Sequence, residues 1–197
     1  MYNLEVINNK LKENLSEKRY KHCLNVGDMA KSLAKIYNVD EEKAYVGGLL
    51  HDIAKEMSYE EYLEIEGDLK FYPEEFSKEN YKIFHGWASS AYAKKYLGIF
   101  DEEILNAIKY HTTGRKNMTL LDKIVFAADC ISVERSFENV EYFRSIAKVN
   151  MDIVIVDKLI NALKKCLHNQ EFILKNTYEA YNEIILKNKS FDNRKGR

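Results

Sequence analysis

The chain has 197 residues, of which 46% are hydrophobic and 31% are charged, and its formal net charge is −1 at pH 7. This balance predicts one soluble globular domain and argues against a protein that binds nucleic acid polymers through a basic surface. Three cysteines without CxxC spacing, a start without a signal peptide and the lack of an apolar run of ~20 residues predict a cytoplasmic protein that does not span a membrane.

The pattern of apolar residues predicts an all-α fold. The chain has one proline and eight glycines, and its apolar residues recur at helical rather than alternating spacing. A first helix near the N-terminus is followed by a second that begins near Ser16 and carries His22. Asp40 caps a third helix, which is predicted to run through Ile53 and to place the pair His51-Asp52 near its C-terminal end.

The middle of the chain predicts a loop and two further helices. Residues 66–78 form a loop around the single proline, and a helix over about 81–97 carries His85 on an unusually small face. Small faces allow close helix packing, which brings backbone near this part of the core. The next helix ends around His111, with Gly114 as its stop.

The last third of the chain predicts one capped helix and two long amphipathic segments. Thr119 and Asp122 resemble a capping box for the helix that bears Asp129, and the segments cover about 142–168 and 170–188. The predicted organisation is a single domain over 1–190, with a metal-binding core over about 16–135, C-terminal helices over about 142–188 and a tail over 191–197.

Four of the five histidines alternate with two aspartates in an order typical of a metal site. The six residues are His22, His51, Asp52, His85, His111 and Asp129. Mixed imidazole and carboxylate ligands suit Fe, Mn, Co, Ni or Zn better than Ca or Mg, and six donors are enough for one or two ions. Asp129 lies in a mostly apolar run, where a carboxylate needs a partner: a metal, Arg115 or Arg135.

The adjacency of His51 and Asp52 constrains how they bind. Neighbouring side chains on a helix point about 100° apart, so both serve one target only if the metal lies off the helix end. Asp52 then bridges two ions, or binds one ion and orients a water. A divalent metal activates water for hydrolysis, which fits a chain without an obvious catalytic serine or cysteine.

Several cations near these residues suit a phosphate. Lys55 lies on the same side of its helix as His51-Asp52, and Arg19 is aligned with His22. Arg135 follows Asp129 by six residues, so it reaches the site only if the helix ends near Ser132.

The sequence resembles the HD-domain metal-dependent phosphohydrolases and, among them, the YqeK-type symmetrical dinucleoside tetraphosphatases of bacteria. The resemblance spans nearly the whole chain and is carried by Arg19-Tyr-Lys-His22, Gly48-Leu-Leu-His-Asp-Ile-Ala-Lys55, His85-Gly86, Tyr110-His-Thr-Thr-Gly-Arg115, Leu121-Asp-Lys-Ile-Val-Phe-Ala-Ala-Asp129, Arg135 and Thr177-Tyr-Glu-Ala-Tyr-Asn182. Two segments depart from the family pattern: Ile-Glu-Pro is replaced by Ile131-Ser132-Val133, and Phe-Pro-Gly-Val by Phe137-Glu-Asn-Val140.

The resemblance implies an HD-type helical bundle with an iron-type ion in its core, held by His22, His51, Asp52 and Asp129. His85 and His111 would complete a second metal site or contact phosphate. The implied catalytic residues are Asp52, Lys55, His85 and His111. The implied substrate-binding residues are Arg19, His22, Lys55, His85, His111, Thr112, Gly114, Arg115, Asp129, Arg135, Thr177, Tyr178, Tyr181 and Asn182.

The implied reaction is the hydrolysis of diadenosine tetraphosphate into two ADP by metal-activated water. Two alternatives remain open at this stage: an HD phosphohydrolase acting on a mononucleotide or a guanosine alarmone, and a nucleotide-binding sensor without turnover. The sequence does not fix the metal, the base preference or the oligomeric state, for which a homodimer is one option.

Overall fold

The computed structural model describes residues 2–66, 73 and 75–187, and within them the chain is all-α, as predicted. The helices are α1 Leu4–Asn14, α2 Glu17–Tyr37, α3 Glu41–Leu50, α4 Tyr59–Glu66, α5 His85–Leu97, α6 Glu102–Tyr110, α7 Leu120–Ile131, α8 Val140–Ala147, α9 Met151–Asn169 and α10 Lys175–Lys187. A 3-10 turn, Tyr81–Phe84, leads into α5. None of the described helices is long and apolar enough to cross a bilayer.

The predicted helix starts are confirmed by their caps. The side chain of Ser16 accepts a hydrogen bond from the backbone N–H of Arg19, and Asp40 accepts two from the first turn of α3. Thr119 and Asp122 form both hydrogen bonds of a capping box at the start of α7. Local polar side chains therefore set where these helices begin.

Two predicted segments need correction, and one helix was missed. The segment predicted over 142–168 is two helices, because the chain turns at 148–150 and Asn150 caps a new helix start at the N–H of Asp152. The segment predicted from 170 begins at Lys175, because Gln170 takes a left-handed conformation with φ 57° that ends α9. Helix α4 was not predicted at all.

The third predicted helix also ends earlier than expected. Helix α3 stops at Leu50 rather than running through Ile53, and the chain continues in tight turns in which Lys55 N–H donates to the carbonyl of Asp52 at 2.9 Å. The predicted loop at 66–78 lies partly outside the described residues, and the predicted tail at 191–197 lies outside them entirely.

Helix α3 is central to the packing that positions the site. It lies against α2 and also contacts α5, α6 and α7, while α7 packs on α2, α6 and α9. The close approach of α2 and α3 depends on glycine: a Cβ on Gly48 would lie 2.8 Å from Cα of Gly27. The predicted small face of α5 likewise meets backbone, since a Cβ on Gly86 would lie 2.5 Å from the carbonyl oxygen of Lys109. These contacts bring the ends of several helices to one place in the core.

Candidate metal centre

Side chains from three helix regions meet in the core. Nε2 of His22, from α2, lies 3.2 Å from Nε2 of His51 at the end of α3 and 3.1 Å from Oδ1 of Asp129 on α7. Nε2 of His51 lies 3.8 Å from the same Asp129 oxygen. Residues far apart in sequence therefore direct three metal-type donor atoms at one small volume.

Asp52 connects this group to the two remaining histidines. Its Oδ2 lies 3.4 Å from Nε2 of His51 and 3.9 Å from Nε2 of His22. Its Oδ1 faces the other way, 3.2 Å from Nε2 of His85 and 3.5 Å from Nε2 of His111. One carboxylate thus presents one oxygen to each of two neighbouring groups of donors, which is the arrangement a bridging ligand requires.

Three of the imidazoles are oriented by the same kind of local hydrogen bond. In each, Nδ1–H donates to the backbone carbonyl three residues earlier, which turns Nε2 toward the centre. The pairs are His51 with Gly48 at 2.7 Å, His85 with Lys82 at 2.9 Å and His111 with Ile108 at 2.7 Å. His51 and His111 follow the last residues of α3 and α6, and His85 begins α5. These hydrogen bonds therefore lie at helix ends.

The fourth imidazole is oriented by a residue that sequence reasoning did not identify. Nδ1 of His22 is hydrogen-bonded to the carboxylate of Glu134. That carboxylate also accepts from Nδ2 of Asn25 at 2.8 Å and from the hydroxyl of Ser132 at 2.7 Å. Burial raises the pKa of Glu134, but the hydrogen bonds from His22, Ser132 and Asn25 together outweigh burial and lower the pKa. Glu134 lies in a turn after α7, where no periodic pattern could have revealed it.

The protonation states of Asp52, Asp129 and His111 suit metal binding, whereas the pKa of His51 is raised, because the charge of Asp52 and its other partners together outweigh burial. Burial alone would raise the pKa of Asp52, but the surrounding histidines, His51 above all, hold the pKa well below its usual range. Asp129 is likewise kept anionic, because its hydrogen bond with His22 and the charge of His51 outweigh burial. Burial lowers the pKa of His111 to about 4, so this imidazole is neutral at pH 7. Anionic carboxylates and neutral imidazoles are the forms that ligate metals.

Cations surround the carboxylates as predicted. Nη1 of Arg19 lies 2.9 Å from Oδ2 of Asp52, and Nη2 of Arg135 lies 2.5 Å from Oδ1 of Asp129. Arg135 reaches that position because α7 ends at Ile131. On the other side of the centre, Nζ of Lys55 lies 3.0 Å from Nε2 of His85.

An open cavity of about 350 Å³ adjoins the His85 side of the centre; we call it the Thr177 cavity. It is lined by Lys55, Lys82, Ile83, His85, Thr112, Thr113, Ala162, Lys165, Cys166, Glu171, Phe172, Ile173, Leu174 and Thr177. The hydroxyl of Thr112 lies 2.9 Å from Nε2 of His111 and 3.1 Å from Nε2 of His85. The cavity therefore joins an apolar wall to cations and to the metal-type donors, as a nucleotide pocket would.

Other predicted substrate residues lie elsewhere. The guanidinium of Arg115 is paired with Asp122, with Nη2 2.7 Å from Oδ2. Gly114 has φ 64° and packs against Ala180 of α10. Of the predicted segment 177–182, Thr177 lines the cavity, Tyr181 packs on the core, Tyr178 is 43% exposed and Asn182 is exposed.

The residues present fit a divalent metal. Oδ1 of Asp52 is buried and accepts no hydrogen bond, although a bare buried acceptor is costly. The donor set is imidazole nitrogen with carboxylate oxygen, and each imidazole is held by its other nitrogen. An ion at this centre would satisfy Asp52 and balance the charge of two buried carboxylates.

Residues 19–134 match the family profile described as HD domain. A relative from Halalkalibacterium halodurans, called "Bis(5'-nucleosyl)-tetraphosphatase, symmetrical", is 35% identical over 185 residues, which cover 91% of this chain and 95% of the relative. A Bacillus subtilis protein of the same name is 30% identical over 89% of this chain and 94% of its own length.

A crystal structure from Clostridium acetobutylicum, described as a predicted HD superfamily hydrolase involved in NAD metabolism, has 41% sequence identity and a TM-score of 0.88. The match covers 95% of this chain and 99% of that one.

Proposed function

The chain belongs to the HD domain family, and we propose that it hydrolyses diadenosine tetraphosphate symmetrically into two ADP. Support comes from two relatives that carry the name of this activity and that match about nine-tenths of the chain. The observation that carries the proposal is Asp52, whose two oxygens face the His22 group and the His85 group. Such a centre suits an in-line displacement at phosphorus.

Two sets of donors are proposed to hold metal. His22, His51, Asp52 and Asp129 would hold the first ion, and Asp52, His85 and His111 the second. We propose iron as the native metal, with Mn, Co, Ni and Zn as the alternatives that this donor set also suits. When bound, the metal supplies an acidified water and Lewis-acid stabilisation of phosphate charge.

The protein residues bind and orient the polyphosphate. Arg19 and Arg135 lie on Asp52 and Asp129 and present their remaining N–H groups to phosphate oxygens. Lys55 neutralises charge on the opposite side, next to His85. Water adds to one of the two central phosphorus atoms, the bond from that atom to the central bridging oxygen breaks, and the second ADP leaves with that oxygen.

The Thr177 cavity is proposed to hold one nucleoside. Phe172 is 47% exposed and Leu174 is buried in the same wall, so the cavity offers an apolar surface to a base. Lys82 and Lys165 lie at its lining and suit the phosphate adjoining the ribose.

The test is product analysis with and without metal. Protein loaded with Fe²⁺ or Mn²⁺ is incubated with diadenosine tetraphosphate, and the nucleotides are separated by anion-exchange chromatography. We expect ADP to be the only product, and we expect it to form only when no chelator is present. Formation of AMP and ATP, or no turnover with any metal, would contradict the proposal. Asp52→Asn should abolish turnover and leave the circular dichroism spectrum unchanged. The control is Asp28→Asn, an exchange at an exposed residue, which should leave turnover unchanged.

A second candidate is favoured by one finding. The Clostridium acetobutylicum structure is described as a hydrolase involved in NAD metabolism, and NAD is also a dinucleotide joined through phosphate. A panel of NAD, nucleoside triphosphates and a guanosine tetraphosphate, tested beside diadenosine tetraphosphate, ranks the candidates by kcat/KM. If the protein binds one of these nucleotides but hydrolyses none, the result would favour the alternative of a nucleotide-binding sensor without turnover.

We also propose that the protein is cytoplasmic and forms a homodimer. Val6 and Tyr96 are 43% and 48% exposed and line the same shallow depression near the N-terminus, which offers apolar area to a second copy. Sedimentation equilibrium measures the mass directly.

A further inference from the structure

A second cavity, of about 440 Å³, is lined by residues of α7, α8 and α9 and of the segment between α7 and α8; we call it the Phe137 cavity. Cys130, the residue after Asp129, forms part of its wall. The segment after α7 contributes Phe137 and α9 contributes Lys158. The wall of the Phe137 cavity therefore includes the sequence neighbour of Asp129, and the wall of the Thr177 cavity includes His85 itself.

One face of α9 borders both cavities. Val154 and Lys158 line the Phe137 cavity, and Ala162 and Cys166 line the Thr177 cavity. These residues recur every four positions, so they form one continuous stripe along the helix. Over the seven residues from Lys158 to Lys165 the helix rises by roughly 10 Å, which is the scale of separation between the two cavities.

The position of Lys158 connects the Phe137 cavity with the cations of the centre. Its ammonium adds to burial in lowering the pKa of Lys55, which lines the other cavity. Lys158 is exposed on the face of α9 that borders both cavities, so its ammonium can accompany a phosphate chain between them.

The wall of the Phe137 cavity has the chemistry of a nucleoside pocket. Phe137 is 46% exposed, and its ring centroid lies 6.0 Å from that of Phe143, so an aromatic face is open to a base. Across the cavity, Nδ2 of Asn161 donates to Oδ2 of Asp157 at 3.0 Å, which leaves amide and carboxylate oxygens to accept from base or ribose.

We propose that the Phe137 cavity binds the second nucleoside of the dinucleotide, so that the two halves of the substrate leave the metal centre in opposite directions along α9. The proposal rests on the proposed function and extends it. It accounts for symmetrical cleavage, because a nucleoside fixed at each end places the two central phosphorus atoms over the metal-type donors.

The first test counts binding sites with ADP, the product of each half. Equilibrium dialysis of Mn²⁺-loaded protein should give two ADP per chain. Phe137→Ala and Asn161→Ala should weaken one of these sites about tenfold, since they remove stacking or hydrogen bonding to a base, and leave the other unchanged. Lys164→Ala is the matched control: this exposed residue lies on α9 outside both cavities, and its variant should bind as the unaltered protein does.

The second test locates the sites with 8-azido-ADP and mass spectrometry of labelled peptides. Label is expected in residues 137–143 as well as 172–177. One ADP per chain up to millimolar concentration, with label confined to 172–177, would overturn the proposal. Two sites without cleavage of diadenosine tetraphosphate would refute the proposed function and leave the second nucleoside site standing. Cleavage with a single ADP site would refute the second nucleoside site and leave the proposed function standing.

Discussion

Replacing Gly48 by alanine tests whether helix contact sets the metal geometry. An added Cβ would lie 2.8 Å from Cα of Gly27 and 2.9 Å from the carbonyl oxygen of Val26, whereas ordinary contact begins at 3.4 Å. Both neighbours are backbone, so no side chain can move aside. Helices α2 and α3 must therefore separate by about 0.6 Å.

The separation acts on two ligands at once. His22 is carried by α2, and His51 follows α3 and donates to the carbonyl of Gly48 itself. Metal–ligand distances tolerate roughly ±0.2 Å, so a shift of about 0.6 Å exceeds what the centre can absorb. We expect the apparent Kd for Mn²⁺ to rise at least tenfold.

Stability should fall by a smaller amount. Overpacking costs about 1–3 kcal/mol, and the better helix propensity of alanine recovers up to about 1 kcal/mol. With the midpoint cost of about 2 kcal/mol the net loss is about 1–2 kcal/mol, and at about 2–4 °C per kcal/mol for a domain of this size Tm should fall by about 2–8 °C. The measurement is thermal denaturation followed at 222 nm in EDTA, which removes the contribution of bound metal, together with Mn²⁺ titration by electron paramagnetic resonance.

The neighbouring Gly47→Ala is the control. Its added Cβ would meet only the methyl Cγ2 of Val125 at 3.0 Å, and a side-chain methyl can shift. This variant gains the same helix propensity, so its Tm should stay within a few degrees of the unaltered protein and its Mn²⁺ affinity should be unchanged. An equal loss of Tm and of Mn²⁺ affinity in both variants would refute the argument that glycine contact sets the geometry. No loss in Gly48→Ala would refute it as well.

Three further predictions concern the surroundings of the centre. Glu134→Gln should raise the Kd for Mn²⁺ by about 10- to 100-fold, because it removes the anionic acceptor of His22; an unchanged Kd would argue against that role. Iodoacetamide should alkylate Cys166 and ADP should protect it, as peptide mass spectrometry can show, because this thiol lines the Thr177 cavity. Arg144→Ala should lower the free energy of unfolding in urea by about 2–4 kcal/mol, since its guanidinium donates to several backbone carbonyls, and Arg144→Lys should recover less than half of the loss.

The sequence predicted the elements that depend on local chemistry. Helix starts at Ser16, Asp40 and Thr119 follow from side-chain caps, which need only a few neighbouring residues. The convergence of six His and Asp residues was also predictable, since their residue types admit few other roles when buried together. The site off the end of α3 agrees with the interpretation that adjacent His51 and Asp52 can act together only there.

Other features depend on tertiary contacts that no periodicity records. The break between α8 and α9 is an exception, since it is marked by a local cap at Asn150, but the amphipathic pattern around it is continuous and concealed it. Glu134 gains its importance only because the chain after α7 folds back onto α2. The pairing of Arg115 likewise depends on the fold: the sequence allowed Asp129 as its partner, and the folded chain places it on Asp122.

The segment after α7 forms a defined turn beside the metal centre although residues 132–140 contain neither proline nor glycine. The turn at 132–135 is closed by a hydrogen bond from Arg135 N–H to the carbonyl of Ser132 at 2.9 Å. Arg144 of α8 then donates to the carbonyls of Ile131, Ser132, Val133 and Arg135 at 2.8–3.1 Å. A planar guanidinium that bonds four carbonyls fixes the backbone much as a rigid ring would. Because that turn carries Glu134 to His22 and Arg135 to Asp129, the side chain of Arg144 determines the positions of two groups at the metal centre that it does not touch.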